Sequence, residues 1–250
     1  MEQTIIVRRA TSDDLHFAET ITREMEESAK ARGTGIAKRS PDYIQMKIQE
    51  DKAVIAVTND GTWVGFCYIE AWEHGKYVAN SGLIVSPAFR KSGVAKQIKQ
   101  KIFELSRQKY PDAKIFGLTT GLAVMKINSE LGYEPVTYSE LTNDEEFWKG
   151  CQSCVNYEIL MSKGRKNCMC TAMLYDPAEA AKKEADQVKT VVTPEGHLHT
   201  RHKRHLKEDL SLFERWVRFK QFVLLQTPKK KEGEQNNEKK NSILSLFFFW

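Results

Sequence analysis

The chain has 250 residues, 41% of them hydrophobic and 28% charged, with a formal net charge of +5. That is long enough for one ordinary enzyme domain with a substantial core and something added. Residues 1–177 hold 23 Lys+Arg and 23 Asp+Glu, and residues 178–250 hold 15 and 10, so the positive balance belongs to the C-terminal part. A near-neutral main body argues against nucleic-acid binding. No apolar run reaches the roughly 20 residues of a membrane span, and Met1-Glu2-Gln3 opens no signal peptide, so a cytoplasmic protein is expected.

In chain order, Ile5 to Arg8 reads as a strand, and Ser12-Asp13-Asp14 caps a polar helix that runs to about Ala31. A second helix follows Pro41. Three β-rich runs come next, Ala53 to Val57, Trp63 to Trp72 and Tyr77 to Val85; the Asp60-Gly61 pair marks a hairpin and His74-Gly75 a turn. After Arg90-Lys91-Ser92-Gly93-Val94-Ala95, apolar residues at Val94, Ile98, Ile102 and Leu105 give one face at helical spacing. Pro111-Asp112 breaks that helix. Lys114 to Thr120 is a further strand, Ala123 to Leu131 a short helix and Tyr133 to Tyr138 another strand.

A strand running into a glycine loop at a helix start is a natural anion site, because the first turn presents unpaired N–H groups and the positive end of the helix dipole. Gly93 permits close backbone approach, Arg90 and Lys91 add charge, and Ser92 and Ala95 are small, which suits a ligand with adjacent phosphates. An ordinary capped surface helix is the alternative on this pattern alone.

The element order, with Arg90-x-x-Gly93-x-Ala95 between the fourth strand and third helix and Leu131-Gly132-Tyr133 closing the short helix, resembles the GNAT family of acyl-CoA-dependent N-acyltransferases. The resemblance covers about residues 3–138 and closes with Thr171 to Tyr175. It implies an α/β (α+β) fold with a mixed, mostly antiparallel twisted sheet flanked by helices. It also implies acyl-CoA as cosubstrate: backbone groups of Leu83, Ile84 and Val85 hold the pantetheine arm and thioester carbonyl, Arg90, Lys91, Ser92, Gly93, Val94 and Ala95 bind the pyrophosphate, and Asn128 lines the cofactor. An amine then attacks the carbonyl directly, and a thiolate leaves.

Departures from the family pattern touch the proton transfers. Asn128 stands where many members have a tyrosine that protonates the leaving thiolate, and an amide is no acid. Gly121 stands where an asparagine often contacts pantetheine, and Ala79 and Phe116 where some members carry a glutamate base. Glu70, ending the third strand in an apolar setting beside Trp72, is one candidate base; a water chain is the other.

Four of the five cysteines form Cys151-x-x-Cys154 and Cys168-x-Cys170. Two close thiol pairs joined by a short loop can converge on one tetrahedral structural zinc, in an insert of about residues 145–170 before the last strand. The segment between carries strand-like Val155 to Leu160, and Trp148 is placed to cover the site. Reduced structural thiols are the alternative, and Cys67 reads as core.

Three regions follow: an acyltransferase domain over 1–177, a helical basic extension over 178–227, and a disordered tail over 228–250. The run from His197 to His205 is read as a solvated basic segment in preference to a metal site. Apolar residues at Leu206, Leu210, Phe213 and Val217 make an amphipathic helix that packs on the body, on a second subunit in a homodimer, or on a membrane surface.

The passages 80–85, 115–120 and 147–151 are similar to a bacterial GNAT subgroup of N-acylglutamate synthases associated with arginine biosynthesis. The acceptor that this resemblance implies is glutamate, with acetyl- or succinyl-CoA as donor, and Arg32, Lys38 and Arg39 are the candidate cations for its carboxylates. A polyamine, another small molecule or a protein N-terminus is the enzyme alternative. A CoA-binding regulatory module is the non-catalytic one.

Overall fold

The computed structural model describes residues 4–33 and 38–189, apart from the side chains of Arg32 and of residues 184–189. Seven strands form one sheet: β1 (Ile5–Arg9), β2 (Ala53–Thr58), β3 (Trp63–Trp72), β4 (Tyr77–Val85), β5 (Lys114–Thr119), β6 (Glu134–Val136) and β7 (Thr171–Tyr175). Their order is β1-β2-β3-β4-β5-β7-β6, and every neighbouring pair is antiparallel except β4 with β5. The helices are α1 (Ala18–Arg32), α2 (Pro41–Gln49), α3 (Val94–Lys109), α4 (Leu122–Glu130), α5 (Glu145–Lys149), α6 (Tyr157–Ser162) and α7 (Pro177–Lys189). Among the described residues no helix is long and apolar enough to cross a membrane.

Strand alternation divides the core into layers. On one face Val54, Val64, Cys67, Ile69, Val78 and Ile115 pack against Val94, Ile98, Ile102 and Leu105 of α3. On the other face Ile55, Phe66, Tyr68 and Ile84 pack against Ile21 and Met25 of α1 and Ile44 and Ile48 of α2. Further along that second face, Ala79, Phe116, Ala172 and Leu174 meet Trp148, Leu160 and Cys168 of the cysteine-bearing segment. That segment is thus a third packing unit beside α1 and α2.

The fourth element of the core is glycine. A Cβ at Gly65 would stand 2.7 Å from Ile98 Cδ1 and 2.9 Å from the Ile84 carbonyl, so its absence lets α3 lie close on the sheet.

Two expectations change. Val155 to Leu160 is helical over Tyr157–Ser162, because Tyr157 and Leu160 both turn inward toward the sheet, at the i, i+3 spacing of one helix face, whereas a strand would alternate. The polar first helix is preceded by a short 3₁₀ stretch, Ser12–Phe17, where Asp14 accepts from the Thr11 N–H at 2.8 Å and pairs with Arg8 at 2.6 Å. The stretches around His197–His205, Leu206–Leu225 and 228–250 lie outside the described residues.

Candidate acyl-transfer site

β4 and β5 pair only at their first residues, Tyr77 to Ala79 against Lys114 to Phe116. β4 then runs on to Val85 against β3, and β5 to Thr119 against β7, so the two strands splay and leave a gap. The β3–β4 register slips between Phe66 and Tyr68, and the extra β4 residue lies at Gly82 and Leu83 opposite Cys67. Gly82 has φ of +67°, and a Cβ there would stand 2.3 Å from the Tyr68 ring. Leu83, Ile84 and Val85 therefore lie on an edge of β4 that no strand covers, where backbone donors and acceptors are available to an extended ligand arm.

The loop after β4 delivers that edge to α3. Lys91 and Gly93 both adopt left-handed backbone, with φ of 67° and 83°. Gly93 caps α3 with no side-chain bond, a Cβ there would meet nothing within 4 Å, and Ser92 Oγ donates to the Phe89 carbonyl instead of capping. The first-turn N–H groups at Val94 and Ala95 are left for an external acceptor. Lys91 is exposed and makes no ion pair among the described residues. Arg90 does not supply loose charge: its Nη2 donates to Glu24 Oε1 at 2.9 Å and Ser28 Oγ at 2.7 Å, and its Nε to the Val85 carbonyl at 3.1 Å. It ties the loop to α1. Arg90→Ala is accordingly expected to weaken CoA binding about tenfold through loop disorder, read by calorimetric titration at two salt concentrations. A loss that vanishes in high salt would point to direct phosphate contact instead.

At the root of the gap sits a buried polar network. Asn80 is the first β4 residue beyond the last β4–β5 pair; its Oδ1 accepts from Tyr133 Oη at 2.9 Å and from Lys99 Nζ at 3.4 Å, and its Nδ2 donates to Ser106 Oγ at 2.7 Å. Lys99 is 2% exposed, and burial lowers its pKa to about 8. Cys67, beside it, is pushed up to about 11 by burial. Asn128 is also buried: its Nδ2 reaches Met173 Sδ at 3.8 Å and its Oδ1 has no partner. A buried amide oxygen without a donor fits an amide N–H of a pantetheine arm. Sequence assigns no such network: Tyr133 and Asn80 stand in quoted motifs without this role, and nothing in Lys96 to Lys101 separates the buried Lys99 from the exposed lysines.

On the opposite face of the sheet, charges gather around two tyrosines. Glu70 Oε1 accepts from Arg39 Nη2 at 3.2 Å, and Lys47 Nζ stands 4.0 Å from Oε2. Arg39 Nε donates to Tyr68 Oη at 3.0 Å, and both cations lie over the Tyr43 ring, at 5.1 and 4.8 Å. Burial is the main cause that raises Tyr43 and Tyr68 and lowers Lys47; for Arg39 the tyrosines and Glu70 outweigh burial and raise it. Two cations thus face one carboxylate in a half-buried cluster next to the bulge. Of the residues expected to clamp an acceptor, Arg39 is in this cluster, Lys38 is exposed with its Nζ 3.8 Å from Glu26, and the Arg32 side chain lies outside the described residues. Lys47 and Tyr43 were missed because α2 was read only as a helix after Pro41.

The cysteine segment borders this cluster, with the Lys38 N–H 3.4 Å from Ser153 Oγ. Cys151, Cys154, Cys168 and Cys170 all line one cavity of about 30 Å³, with Tyr138 and Leu160. Burial and the neighbouring thiols push Cys151 up to about 11. Tyr138 Oη donates to the Cys170 carbonyl at 2.9 Å, and Trp148 is buried in the same layer. Among the described residues no three His, Cys, Asp or Glu side chains stand in a metal-holding arrangement.

A splayed mixed sheet above an uncapped, glycine-led helix is the arrangement that the sequence's resemblance to acyl-CoA-dependent N-acyltransferases implies. Residues 19–124 of the chain match the model of the acetyltransferase (GNAT) family. Among solved structures it is similar to N-acetylglutamate synthase from Neisseria gonorrhoeae complexed with coenzyme A and N-acetyl-glutamate (19% identity, 70% of this chain, 36% of that one, TM-score 0.49). It is also similar to a Mycobacterium tuberculosis protein in complex with CoA and NLQ (18% identity, 68% of this chain, 98% of that one, TM-score 0.49). A phosphinothricin acetyltransferase from Sinorhizobium meliloti in complex with AcCoA is a third (16% identity, 70% and 89% covered, TM-score 0.46). The chain thus spans about a third of the gonococcal synthase. Among curated proteins no sequence matches it.

Proposed function

We propose that this protein transfers the acyl group of acetyl- or succinyl-CoA to the α-amine of a dicarboxylic amino acid, glutamate, in arginine biosynthesis. The observation that carries the acceptor reading is the cluster of Arg39 and Lys47 around the single carboxylate Glu70, beside the bulge that would hold the thioester. A half-buried site with surplus positive charge attracts a carboxylate and repels a polyamine. Acyl-CoA lies with its pyrophosphate on the N–H groups of Val94 and Ala95 and its pantetheine arm along Leu83 to Val85. The acceptor amine loses a proton to Glu70, directly or through water, and attacks the carbonyl; backbone donors of the β4 edge stabilise the tetrahedral oxyanion, and the thiolate departs without a covalent enzyme intermediate. The chemistry resides in residues 1–177.

The test is free-thiol release from each acyl-CoA with L-glutamate, ornithine or spermidine as acceptor. Glutamate-dependent release is expected, and Arg39→Ala raises the glutamate KM on the order of 100-fold while leaving the acyl-CoA KM unchanged. Release only with ornithine or spermidine would discard the amino-acid reading, and CoA binding without turnover by any acceptor would make the protein a CoA-binding regulatory module.

We also propose that Cys151, Cys154, Cys168 and Cys170 hold a structural zinc. The support is their two-pair spacing and the one cavity that all four line; the thiols would have to turn toward one another to close on an ion, since no three of them stand in a metal-holding arrangement. With four thiolates no coordination position is left open, so the ion would brace the wall of the acceptor site and take no part in the reaction.

A further inference from the structure

Lys99 is a charge without a counter-charge. Its ammonium has three donors, one acceptor at 3.4 Å in Asn80 and the face of Tyr133 at 5.2 Å, and no carboxylate pairs with it among the described residues. Such a group is costly to bury. A methionine or leucine would fill the same place on the inner face of α3, next to Ile98 and Ile102, at no electrostatic cost.

Its surroundings say what the charge is held for. Asn80 marks the point where β4 and β5 separate, so the ammonium lies at the root of the gap that would receive the thioester. Asn128, whose amide cannot donate a proton as an acid, borders the same root: its backbone carbonyl accepts from the Tyr133 N–H at 3.0 Å. The groups facing Lys99 are Cys67 from β3, Asn80 from β4 and Tyr133 from the turn before β6, with Ser106 of its own helix holding the far side of the Asn80 amide. Asn80 and Tyr133 fix one another and leave Lys99 with donors to spare. Of these groups Lys99 alone is a proton donor that titrates near neutrality, with a pKa lowered to about 8 by burial, against raised values for Cys67 and Tyr133.

We propose that Lys99, positioned by Asn80 and Tyr133 at the root of the β4–β5 gap, is the acid that stabilises and protonates the departing CoA thiolate. As the acceptor nitrogen forms its bond to the acyl carbon, the carbon–sulfur bond breaks with its electron pair on sulfur, one ammonium proton passes to that sulfur, and neutral Lys99 recovers its proton from solvent after CoA leaves. This rests on the acyl-transfer reading, and its test includes a readout that needs no acceptor.

The first measurement is an ultraviolet thiolate titration of CoA bound to the full chain, as a difference against the CoA-free protein, for the natural sequence and for Lys99→Met. The ammonium is expected to lower the thiol pKa of bound CoA by at least about one unit relative to the variant. Identical titrations would overturn the proposal, and failure of both proteins to bind CoA would overturn the acyl-CoA reading with it. In turnover, Lys99→Met is expected to lower kcat about 100-fold with the acyl-CoA KM unchanged and to abolish the loss of kcat above about pH 8. The variant should melt no lower than the natural protein at pH 7, since it removes a buried charge, which separates loss of chemistry from loss of fold. A variant that loses turnover only with succinyl-CoA would show Lys99 pairing with an acyl carboxylate and would also overturn the assignment.

Discussion

Gly82→Ala should abolish acyl transfer and destabilise the domain by about 3 kcal/mol, because two separate penalties fall on one residue. The first is conformational: φ at Gly82 is +67°, a region in which an L-residue costs about 1–2 kcal/mol. The second is steric, since the new methyl group would stand 2.3 Å from one carbon of the Tyr68 ring and 2.9 Å from Met25 Cε. Tyr68 cannot retreat freely, as its hydroxyl accepts from Arg39 and its ring meets Tyr43 at 6.0 Å. Relief would have to come from β4, which would flatten the bulge and move Leu83 along the free edge. Gly93 is the control. Its φ of +83° carries the same conformational cost, but a Cβ there touches nothing within 4 Å, so Gly93→Ala should cost only about 1–2 kcal/mol. Urea unfolding of both variants checks the difference. Equal losses of stability would mean that the Tyr68 contact yields without moving the strand.

This pair of glycines also shows what could be read from the residues alone. Gly93 is visible in sequence, because an apolar strand, a basic turn and an amphipathic helix surround it. Gly82 is invisible: its requirement comes from a tyrosine fourteen positions earlier in the chain, brought against it by β3–β4 pairing. The same rule separates the rest of the site. Strand alternation, the Asp60-Gly61 hairpin and the α3 stripe are local patterns, and they placed the strands and the glycine loop before α3 where the structure has them. Arg39 with Lys47, Lys99 with Asn80, and Arg90 with Glu24 are encounters between distant segments that no local pattern encodes. Arg90 is the clearest instance, since a loop arginine beside a helix start suggests a free phosphate ligand, yet Glu24 and Ser28 one turn apart on α1 accept from both sides of its Nη2. The helix in place of a strand at Tyr157–Ser162 has a similar origin: a short apolar run suits either element, and packing under the sheet decides it.

The cysteine segment carries the other large expected effect. If Cys151, Cys154, Cys168 and Cys170 close on zinc, the purified full chain should contain one equivalent, and Cys151→Ser with Cys168→Ser should lose it and lower the melting temperature by roughly 10 °C. The loss should stay local. The α3 and α1–α2 layers have their own buried residues, whereas the cysteine layer holds only Trp148, Leu160 and a few neighbours against Phe116 and Leu174, so it depends more on a cross-link. Hydrogen exchange should therefore rise across residues 145–170 while β1 to β4 and α3 stay protected. Because the Lys38 N–H reaches Ser153 and Arg39 sits behind it, the acceptor KM should rise in the double variant and the acyl-CoA KM should not. Cys67→Ala, on the α3 face of the sheet, is the control and should keep the metal. A metal-free chain whose melting temperature does not respond to added zinc would leave these four thiols as plain packing with Tyr138, Trp148 and Leu160 in that layer.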